Sequence, residues 1–328
     1  MKTSLSLKIL AAIFAVILLF SGCGSGQTND SGAEKATKSA ASSDNKSTVK
    51  NDGDYDKVTV SDEDGDAVIT GLKDKKAQTL TLPSVYNSKK ITRINANAFA
   101  DCKTLTEVVI PEGYLSIGAN AFKGCVNLKA VTIPKGMKSI GGYAFEGCEK
   151  LLGVDLPDSV ETILMYAFHD CKSLQLVTLP ANLTNINDFT FAGCVSLKEA
   201  ALSNNTVRIG SNAFEGCKRL EAIEIPDSVT TLCGYAFKDC KSIKKVSIGS
   251  GFTTIGARIF EGCAGLEKLA IPDNITVIGN YTFYNCKSLS KVSFPKTLES
   301  IGGKAFVGTK VKKDSVPKGC KVNPNAFG

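Results

Sequence analysis

The fold is decided by a repeating stretch that in one unit reads Cys125-Val126-Asn127-Leu128-Lys129-Ala130-Val131-Thr132-Ile133-Pro134 and closes with Ala144-Phe145. The same pattern returns every 23 residues with no insertion or deletion. A repeat that stays in phase this strictly places every unit at the equivalent position of a stack. Its clearest marker is a phenylalanine column at Phe99, Phe122, Phe145, Phe168, Phe191, Phe214, Phe237, Phe260, Phe283 and Phe306.

Each unit contains one predicted strand. Val131 and Ile133 alternate with polar neighbours, as the residues of a half-buried strand do. Pro134 closes this strand, because its ring fixes φ and it has no N–H to continue a ladder. A second apolar column follows, and Ile140 is its member in this unit. A unit this short cannot bury its own apolar edge, so its neighbours in the stack must cover it.

The motif L-x-x-V-x-I-P, followed by I-G and by A-F-x-G-C, resembles the leucine-rich repeat of bacterial BspA-like surface proteins, over roughly residues 69–328. The resemblance implies a mainly β and irregular leucine-rich repeat solenoid. It would be a curved right-handed coil of 23-residue repeats, with a parallel sheet on the concave face and little helix. We place an N-terminal cap and irregular first repeat at 58–94, the solenoid at 95–306 and a C-terminal capping repeat at 307–328, because exposed ends of a solenoid need degenerate repeats.

The sequence departs from the family consensus in the glycine column, at Leu164, Asn187 and Cys233, and in the strand at Ala200-Ala201. Elsewhere the Ile-Gly pair recurs once per unit. We interpret this glycine as a turn residue and not as part of a phosphate-binding loop. The replacements should affect local curvature and leave the fold intact.

The amino terminus predicts export. Lys2 and Lys8 precede the apolar run 9–20, which ends at Ser21-Gly22-Cys23. This pattern predicts a lipoprotein signal peptide at 1–22, although Phe20 stands where the lipobox consensus has leucine. Cys23 would then carry the lipid, and 23–57 would form a disordered tether, being rich in small and polar residues. An ordinary signal peptide with an incidental cysteine is the alternative.

Composition agrees with an exported globular body, with 43% hydrophobic residues, no tryptophan and a net charge of +7. The positive charge is small and evenly spread, so we expect no nucleic-acid partner. Contact with a membrane is expected only through the lipid anchor.

Nine of the twelve cysteines follow the phenylalanine period. Equivalent cysteines of adjacent units would stand ~4.8 Å apart, farther than a relaxed disulfide allows between Cβ atoms. We therefore predict a reduced, buried ladder in which each thiol acts as a small hydrophobe. A metal site is less favoured, because the chain has no C-x-x-C pair. The ladder comprises Cys102, Cys125, Cys148, Cys171, Cys194, Cys217, Cys240, Cys263 and Cys286.

No catalytic constellation is recognisable. His169 is the only histidine, and its column varies between units in the way solvent-facing columns do. One histidine cannot supply both partners of a zinc motif such as H-E-x-x-H, and a pair with serine or cysteine would need a pocket. We expect no enzymatic activity, cofactor or metal.

Two surfaces are candidates for binding. The first is the concave strand face, whose last third places lysines one above another. Like charges on adjacent strands are mildly destabilising, so this ladder favours an anionic partner. Alternatively, the lysines only keep the sheet soluble and block strand pairing. The candidate residues of this face are Glu107, Asp155, Leu176, Glu199, Glu224, Lys244, Lys245, Lys268 and Lys291.

The second candidate surface is an aromatic strip two residues before the phenylalanine column. Exposed aromatic side chains mark interfaces. The alternative is that these rings cover the edge of the core at each turn. The strip consists of Tyr143, Tyr166, Phe189, Tyr235 and Tyr281.

These features predict a monomeric, cell-surface-anchored binding or adhesion protein. Its partner would be a protein or an anionic polymer at the cell surface or in the host matrix. An envelope spacer without a specific ligand, and an exported enzyme that uses the solenoid for substrate docking, are the other functions that fit the same sequence.

Overall fold

The computed structural model describes residues 53–63 and 65–328, all within one of the chain's two units, 52–328. The predicted signal peptide, Cys23 and most of the tether lie outside the described residues. Short strands and turns make up this part of the chain, together with two 3₁₀ helices at Tyr55–Lys57 and Lys313–Ser315. It contains no helix long and apolar enough to cross a membrane.

The strands are short and regularly spaced. In chain order they are β1 (Val58–Glu63), β2 (Asp66–Leu72), β3 (Thr79–Thr81), β4 (Val85–Tyr86), β5 (Lys89–Ile94), β6 (Glu107–Val109), β7 (Ser116–Ile117), β8 (Ala130–Thr132), β9 (Ser139–Ile140), β10 (Gly153–Asp155), β11 (Thr162–Ile163), β12 (Leu176–Thr178), β13 (Asn185–Ile186), β14 (Glu199–Ala200), β15 (Arg208–Ile209), β16 (Ala222–Ile225), β17 (Thr231–Leu232), β18 (Lys245–Ile248), β19 (Thr254–Ile255), β20 (Lys268–Ala270), β21 (Val277–Ile278), β22 (Lys291–Ser293), β23 (Ser300–Ile301) and β24 (Lys321–Val322).

Each coil of the solenoid contributes to two parallel ladders. In the first ladder Val108 of β6 pairs with Val131 of β8, 23 residues later. In the second, Ile117 of β7 pairs with Ile140 of β9 at the same interval. The prediction of one strand per repeat was therefore incomplete, because a two-residue strand is too short to show alternation. The leucine-rich repeat solenoid itself is confirmed.

Stacked phenylalanine rings form the centre of the core. All ten members of the column are at most 1% exposed. Successive ring centroids lie 5.1–5.7 Å apart with nearly parallel planes, and Phe327 extends the stack beyond Phe306 at 5.0 Å. The backbone follows the rings, since the Phe122 N–H donates to the Ala144 carbonyl of the next coil at 2.7 Å. Stacked rings and backbone bonds thus fix the same register.

The cysteine column lies directly beside the rings, and every described cysteine is a free thiol. The Cys125 Sγ–H donates to the Phe99 carbonyl oxygen at 3.0 Å, and seven further thiols repeat this bond at 3.1–3.2 Å. The same Phe99 oxygen accepts the backbone N–H of Cys102. Each of these thiols therefore links two coils as a weak donor, which is more than the space-filling role predicted from the sequence.

Glycine in the Ile-Gly pair serves a different purpose from the one predicted. A Cβ placed on Gly118 would lie 2.6 Å from the Ala96 nitrogen, and one on Gly141 would lie 2.6 Å from the Ala119 nitrogen. Neither residue has a positive φ. Glycine is needed here because the backbones of adjacent coils approach closely, and not because a turn requires a left-handed residue.

The ends of the solenoid depart from the repeat. At the N-terminal end β1 and β2 form an antiparallel hairpin, and β4 and β5 form a second one through Asn87 and Ser88, both with positive φ. At the other end β24 pairs with β23 at a spacing of 21 residues, as Ser300 with Lys321. The second ladder therefore reaches the last turn, after interruptions between β11 and β13 and between β17 and β19.

Truncating one ring inside the stack should be costly. We expect Phe214→Ala to lower the free energy of unfolding by about 3–5 kcal/mol, because it leaves a cavity between two rings. Phe327→Ala is the control, since this half-buried ring contacts only Phe306 in the stack. Urea unfolding followed by circular dichroism measures both. Equal losses in the two variants would contradict a stack that stabilises through both ring faces.

The buried thiols predict alkaline sensitivity. Burial raises the pKa of Cys125 and Cys286 to about 12 and that of Cys217 well above its usual value of 9.0. The folded chain retains these protons where the unfolded chain loses them. Its free energy of unfolding is therefore complete below pH 9 and should fall between about pH 9 and 12, by about 1.4 kcal/mol per pH unit for each thiol.

Urea unfolding of the wild type at a series of pH values measures this slope. Cys217→Ala should make the slope shallower by one thiol's contribution. Cys320→Ala, at a half-buried thiol outside the ladder, should change it less. A slope unaffected by Cys217→Ala would show that the ladder does not titrate with unfolding.

Candidate functional site

The strand face, formed by the outward residues of the first ladder, is charged and mostly exposed. Its acidic members Asp155, Glu199 and Glu224 are exposed, whereas Glu107 is half-buried. Leu176 was predicted to point outward, but only 6% of it is exposed. Its ladder partner is Gly153, and the missing side chain there leaves room for leucine to lie against the sheet. Leu176 is therefore removed from this candidate surface.

The lysines of the strand face are exposed, but they do not form one uninterrupted ladder. Lys268 of β20 and Lys291 of β22 are paired in register. Lys245 belongs to β18, which pairs with β16 through Ala222. No backbone ladder joins β18 to β20. The register of Lys268 and Lys291 agrees with the predicted stacking, and Lys245 lies on the neighbouring strand β18, which contacts β20 without a ladder between them.

Four lysines elsewhere in the solenoid pair with a glutamate of the neighbouring coil. The Lys123 ammonium, for example, donates a hydrogen bond to the Glu146 carboxylate, which raises the pKa of Lys123. In the described residues no carboxylate pairs with Lys244, Lys245, Lys268 or Lys291, so their positive charge is uncompensated. The pairs between coils, at 2.6–2.7 Å, are Lys123–Glu146, Lys138–Glu161, Lys172–Glu149 and Lys238–Glu215.

The aromatic strip has an unusual backbone. All five residues adopt left-handed φ values of 57–61°. This conformation costs about 1–2 kcal/mol for a residue with a large side chain and is most easily adopted by glycine or asparagine. The same column contains asparagine in other coils, at Asn97, Asn120 and Asn212, with φ of 55–60°. Aromatic residues are therefore not the choice that backbone conformation favours at this position.

The strip is divided into two parts by Asn212. On one side, the Tyr143 and Tyr166 rings stack at 4.7 Å, and the Tyr166 and Phe189 rings stack at 4.5 Å, with planes within 6°. These three rings are half-buried. Their stacking supplies about 0.5–1.5 kcal/mol per pair, which is of the same size as the backbone cost. Partial burial of the ring surfaces adds to this stacking, so the two contributions together offset the backbone cost.

On the C-terminal side of Asn212, cationic side chains lie over the aromatic rings of the strip. The Arg258 guanidinium lies 4.0 Å from the centroid of the Tyr281 ring and 5.6 Å from that of Tyr235. Arg258 also pairs with Glu261 at 2.9 Å. This part of the strip is thus a set of cation–π contacts within the chain, in agreement with the alternative that its rings cover the core edge.

Two large apolar side chains beside Tyr166 are the functional candidates that sequence reasoning missed. Leu164 is 47% exposed and Met165 is 49% exposed. In the neighbouring coil their columns contain Gly141 and Gly142. Leu164 was recognised as a replacement of glycine, but its exposure was not predicted. The sequence does show this feature, because two columns that usually contain small residues both carry large apolar residues in the same coil.

His169 was predicted to face solvent, but its side chain is half-buried. Its Nδ1 lies 3.3 Å from a Glu146 carboxylate oxygen, and its ring meets Tyr166 edge-on at 5.3 Å. Variation of its column reflects half-burial, which tolerates many residue types. In the described part of the chain no three histidine, cysteine or carboxylate side chains are grouped so that they could bind a metal ion.

The left-handed column yields a stability prediction at Lys304, which is exposed and has a φ of 56°. Lys304→Asn should raise the free energy of unfolding by about 0.5–1 kcal/mol, because asparagine adopts this conformation at lower cost. Lys296→Asn is the control, since this exposed lysine lacks a positive φ. Urea unfolding compares them, and a gain that fails to exceed the control's would argue against stored backbone strain.

The sequence matches a known repeat family over most of its length. Residues 92–221 and 207–328 match the family described as BspA type Leucine rich repeat region, in six copies. A search of curated proteins gives no significant match.

Two solved structures are similar to this chain. A leucine rich cell surface protein from Faecalibacterium prausnitzii is 28% identical, with a TM-score of 0.60, over 83% of this chain and 84% of that one. A leucine-rich repeat protein from Bacteroides ovatus is 27% identical, with a TM-score of 0.51, over 78% of this chain and 56% of that one. Both proteins therefore resemble this chain in sequence as well as in fold.

Proposed function

Because the chain belongs to the BspA-type leucine-rich repeat family, we propose that it is a cell-surface-anchored binding or adhesion protein that presents its solenoid to a macromolecular partner. Repeat proteins of this kind are scaffolds for interaction, and their extended faces bind partners. The Faecalibacterium relative is described as a cell surface protein, which supports the same location here.

The proposed anchor is the lipidated Cys23. The run Ser21-Gly22-Cys23 after an apolar segment supports cleavage before this cysteine. Stable attachment would come from its acyl chains, with the polar tether holding the solenoid away from the membrane.

The lysines of the strand face are the proposed binding site, and their partner is an acidic protein or an anionic polymer at the cell surface or in the host matrix. The observation that carries this proposal is the register of Lys268 and Lys291 on paired strands, which places two like charges side by side. Lys245, Lys268 and Lys291 have no carboxylate partner among the described residues, whereas lysines such as Lys138 pair with a glutamate one coil away. Exposed cations attract an anionic partner and accelerate its association. The protein acts as a monomer and binds no nucleic acid.

The two other candidate functions are less well supported. A spacer without a ligand would have no use for uncompensated like charges on adjacent strands, which cost stability. An exported enzyme would need catalytic groups in a pocket that shifts their pKa values. The repeat family is one of binding scaffolds, which favours binding over catalysis.

Charge reversal tests the lysine site. The full-length triple variant Lys245→Glu, Lys268→Glu and Lys291→Glu should bind immobilised mucin, matrix proteins or sulfated polysaccharide at least tenfold more weakly than the wild type. The control triple variant carries Lys135→Glu, Lys296→Glu and Lys318→Glu, which are exposed lysines in turns and in the C-terminal segment. It changes the net charge equally and should retain binding.

Salt provides a second readout, because exposed charges are screened within ~10 Å at 0.1 M salt. Wild-type binding should weaken as salt increases, and that of the strand-face variant should depend on salt much less. Equal losses in both triple variants would assign the effect to net charge. A wild type that binds none of these probes would favour the spacer.

A further inference from the structure

Coils that contain Tyr143, Tyr166 and Phe189 differ from the rest of the solenoid. Three consecutive large rings occupy a left-handed column that carries asparagine, arginine, lysine or a single isolated tyrosine in the other described coils. Their outer parts stay accessible, since the rings are only half-buried. Residues held in an unfavourable backbone conformation concentrate at functional sites, where another requirement fixes their identity.

A second, independent departure falls in the same coils. Leu164 and Met165 are each nearly half exposed and directly precede Tyr166 in the chain. In the next coil along the chain their positions are taken by Asn187 and Asp188, which are polar. Together Tyr143, Leu164, Met165, Tyr166 and Phe189 form what we call the apolar patch. Contiguous exposed apolar residues that include methionine and aromatic side chains are typical of protein interfaces.

The charges around the apolar patch are already neutralised. Lys123 pairs with Glu146, and Arg208 pairs with Asp188, in both cases at 2.7 Å. The surroundings therefore offer little net charge to a polyanion or a polycation, in contrast with the lysines of the strand face. Charge complementarity selects a partner segment that is itself neutral.

The ring geometry narrows the partner further. The Tyr143, Tyr166 and Phe189 rings cover one another's faces, so they turn their edges outward. The remaining face of Tyr143 is occupied by the Lys123 ammonium at 5.1 Å from the ring centroid. A sugar that stacks on an aromatic needs a free ring face, which neither Tyr143 nor Tyr166 offers. Ring edges together with Leu164 and Met165 instead suit aliphatic and aromatic side chains of a polypeptide.

We propose that the apolar patch docks a neutral polypeptide segment of a partner protein through apolar side chains, at a site separate from the lysines of the strand face. The proposal rests on the proposed function of the chain as a binding scaffold. Two surfaces on one solenoid would allow it to hold an anionic partner and an apolar segment at the same time.

Selection of peptides tests the apolar patch directly. A phage library of random 12-residue peptides is selected on the full-length protein, and enriched peptides are synthesised and measured by fluorescence polarisation. The test variant carries Leu164→Gly and Met165→Ala, which return both positions to the small residues of other coils. The control variant carries Leu115→Thr and Val207→Thr, which remove two other exposed apolar side chains, 46% and 40% exposed, from a column that contains threonine elsewhere.

Enriched peptides should be neutral and rich in leucine, isoleucine, methionine and phenylalanine. Their affinity should fall at least tenfold in the Leu164→Gly and Met165→Ala variant and stay within twofold in the control. The thermal unfolding midpoint checks that both variants remain folded. The triple lysine-to-glutamate variant of the strand face should bind the peptides as the wild type does, so failure of the lysine site and failure of the apolar patch can be told apart.

Several results would overturn the proposal. These are a selection that enriches no peptide, peptides that bind the Leu164→Gly and Met165→Ala variant as tightly as the wild type, and peptides that are predominantly charged. Glycan-array binding lost only in that variant would assign the patch to a sugar. Self-association in analytical ultracentrifugation that the same variant abolishes would assign it to a second copy of this chain.

Discussion

Coil-to-coil stacking in an unbroken 23-residue register is the constraint on which the structure depends. It places each phenylalanine over the next at 5.1–5.7 Å and each ladder residue opposite its equivalent, as Val108 opposite Val131. A single inserted residue would shift the ring out of the stack and reverse the strand faces of that coil. Hydrophobic burial, backbone pairing and thiol bonding therefore all require the same spacing, which explains why the spacing is kept without exception from Phe99 to Phe306.

The core could be predicted from the sequence because every column reports the same environment many times. One buried phenylalanine is ambiguous, whereas ten at a fixed interval are not. What the sequence could not supply is the reason for each residue within its column. The thiol bond of Cys125 to the Phe99 carbonyl depends on a distance between two coils, and the glycine at Gly118 depends on how closely a neighbouring backbone approaches. The repeat pattern gives neither distance. From the sequence, cysteine was therefore interpreted as a hydrophobe and glycine as a turn residue.

The candidate surfaces were less predictable for a related reason. Alternation assigns a residue to a face, but exposure on that face depends on its neighbours in the adjacent coils. Leu176 is buried although it lies on the outward side of β12, and β18 is not joined to β20 although the repeat continues without a gap. The left-handed backbone of the aromatic strip is invisible in a pattern that accepts asparagine, tyrosine and arginine alike. It emerges only when φ is known for every coil.

A solenoid also explains how two different surfaces can coexist on one small chain. Each coil contacts only its neighbours, so stability is roughly a sum of local contributions and a costly residue affects its own coil and the two beside it. Leu164 and Met165 lie more than three repeats away from Lys245 in the sequence. The ion pairs near the apolar patch, Lys123–Glu146 and Arg208–Asp188, do not involve Lys245. Changes at distant, unconnected sites add independently. Variation at one surface can therefore proceed without loss at the other, provided that the phenylalanine stack between them stays intact.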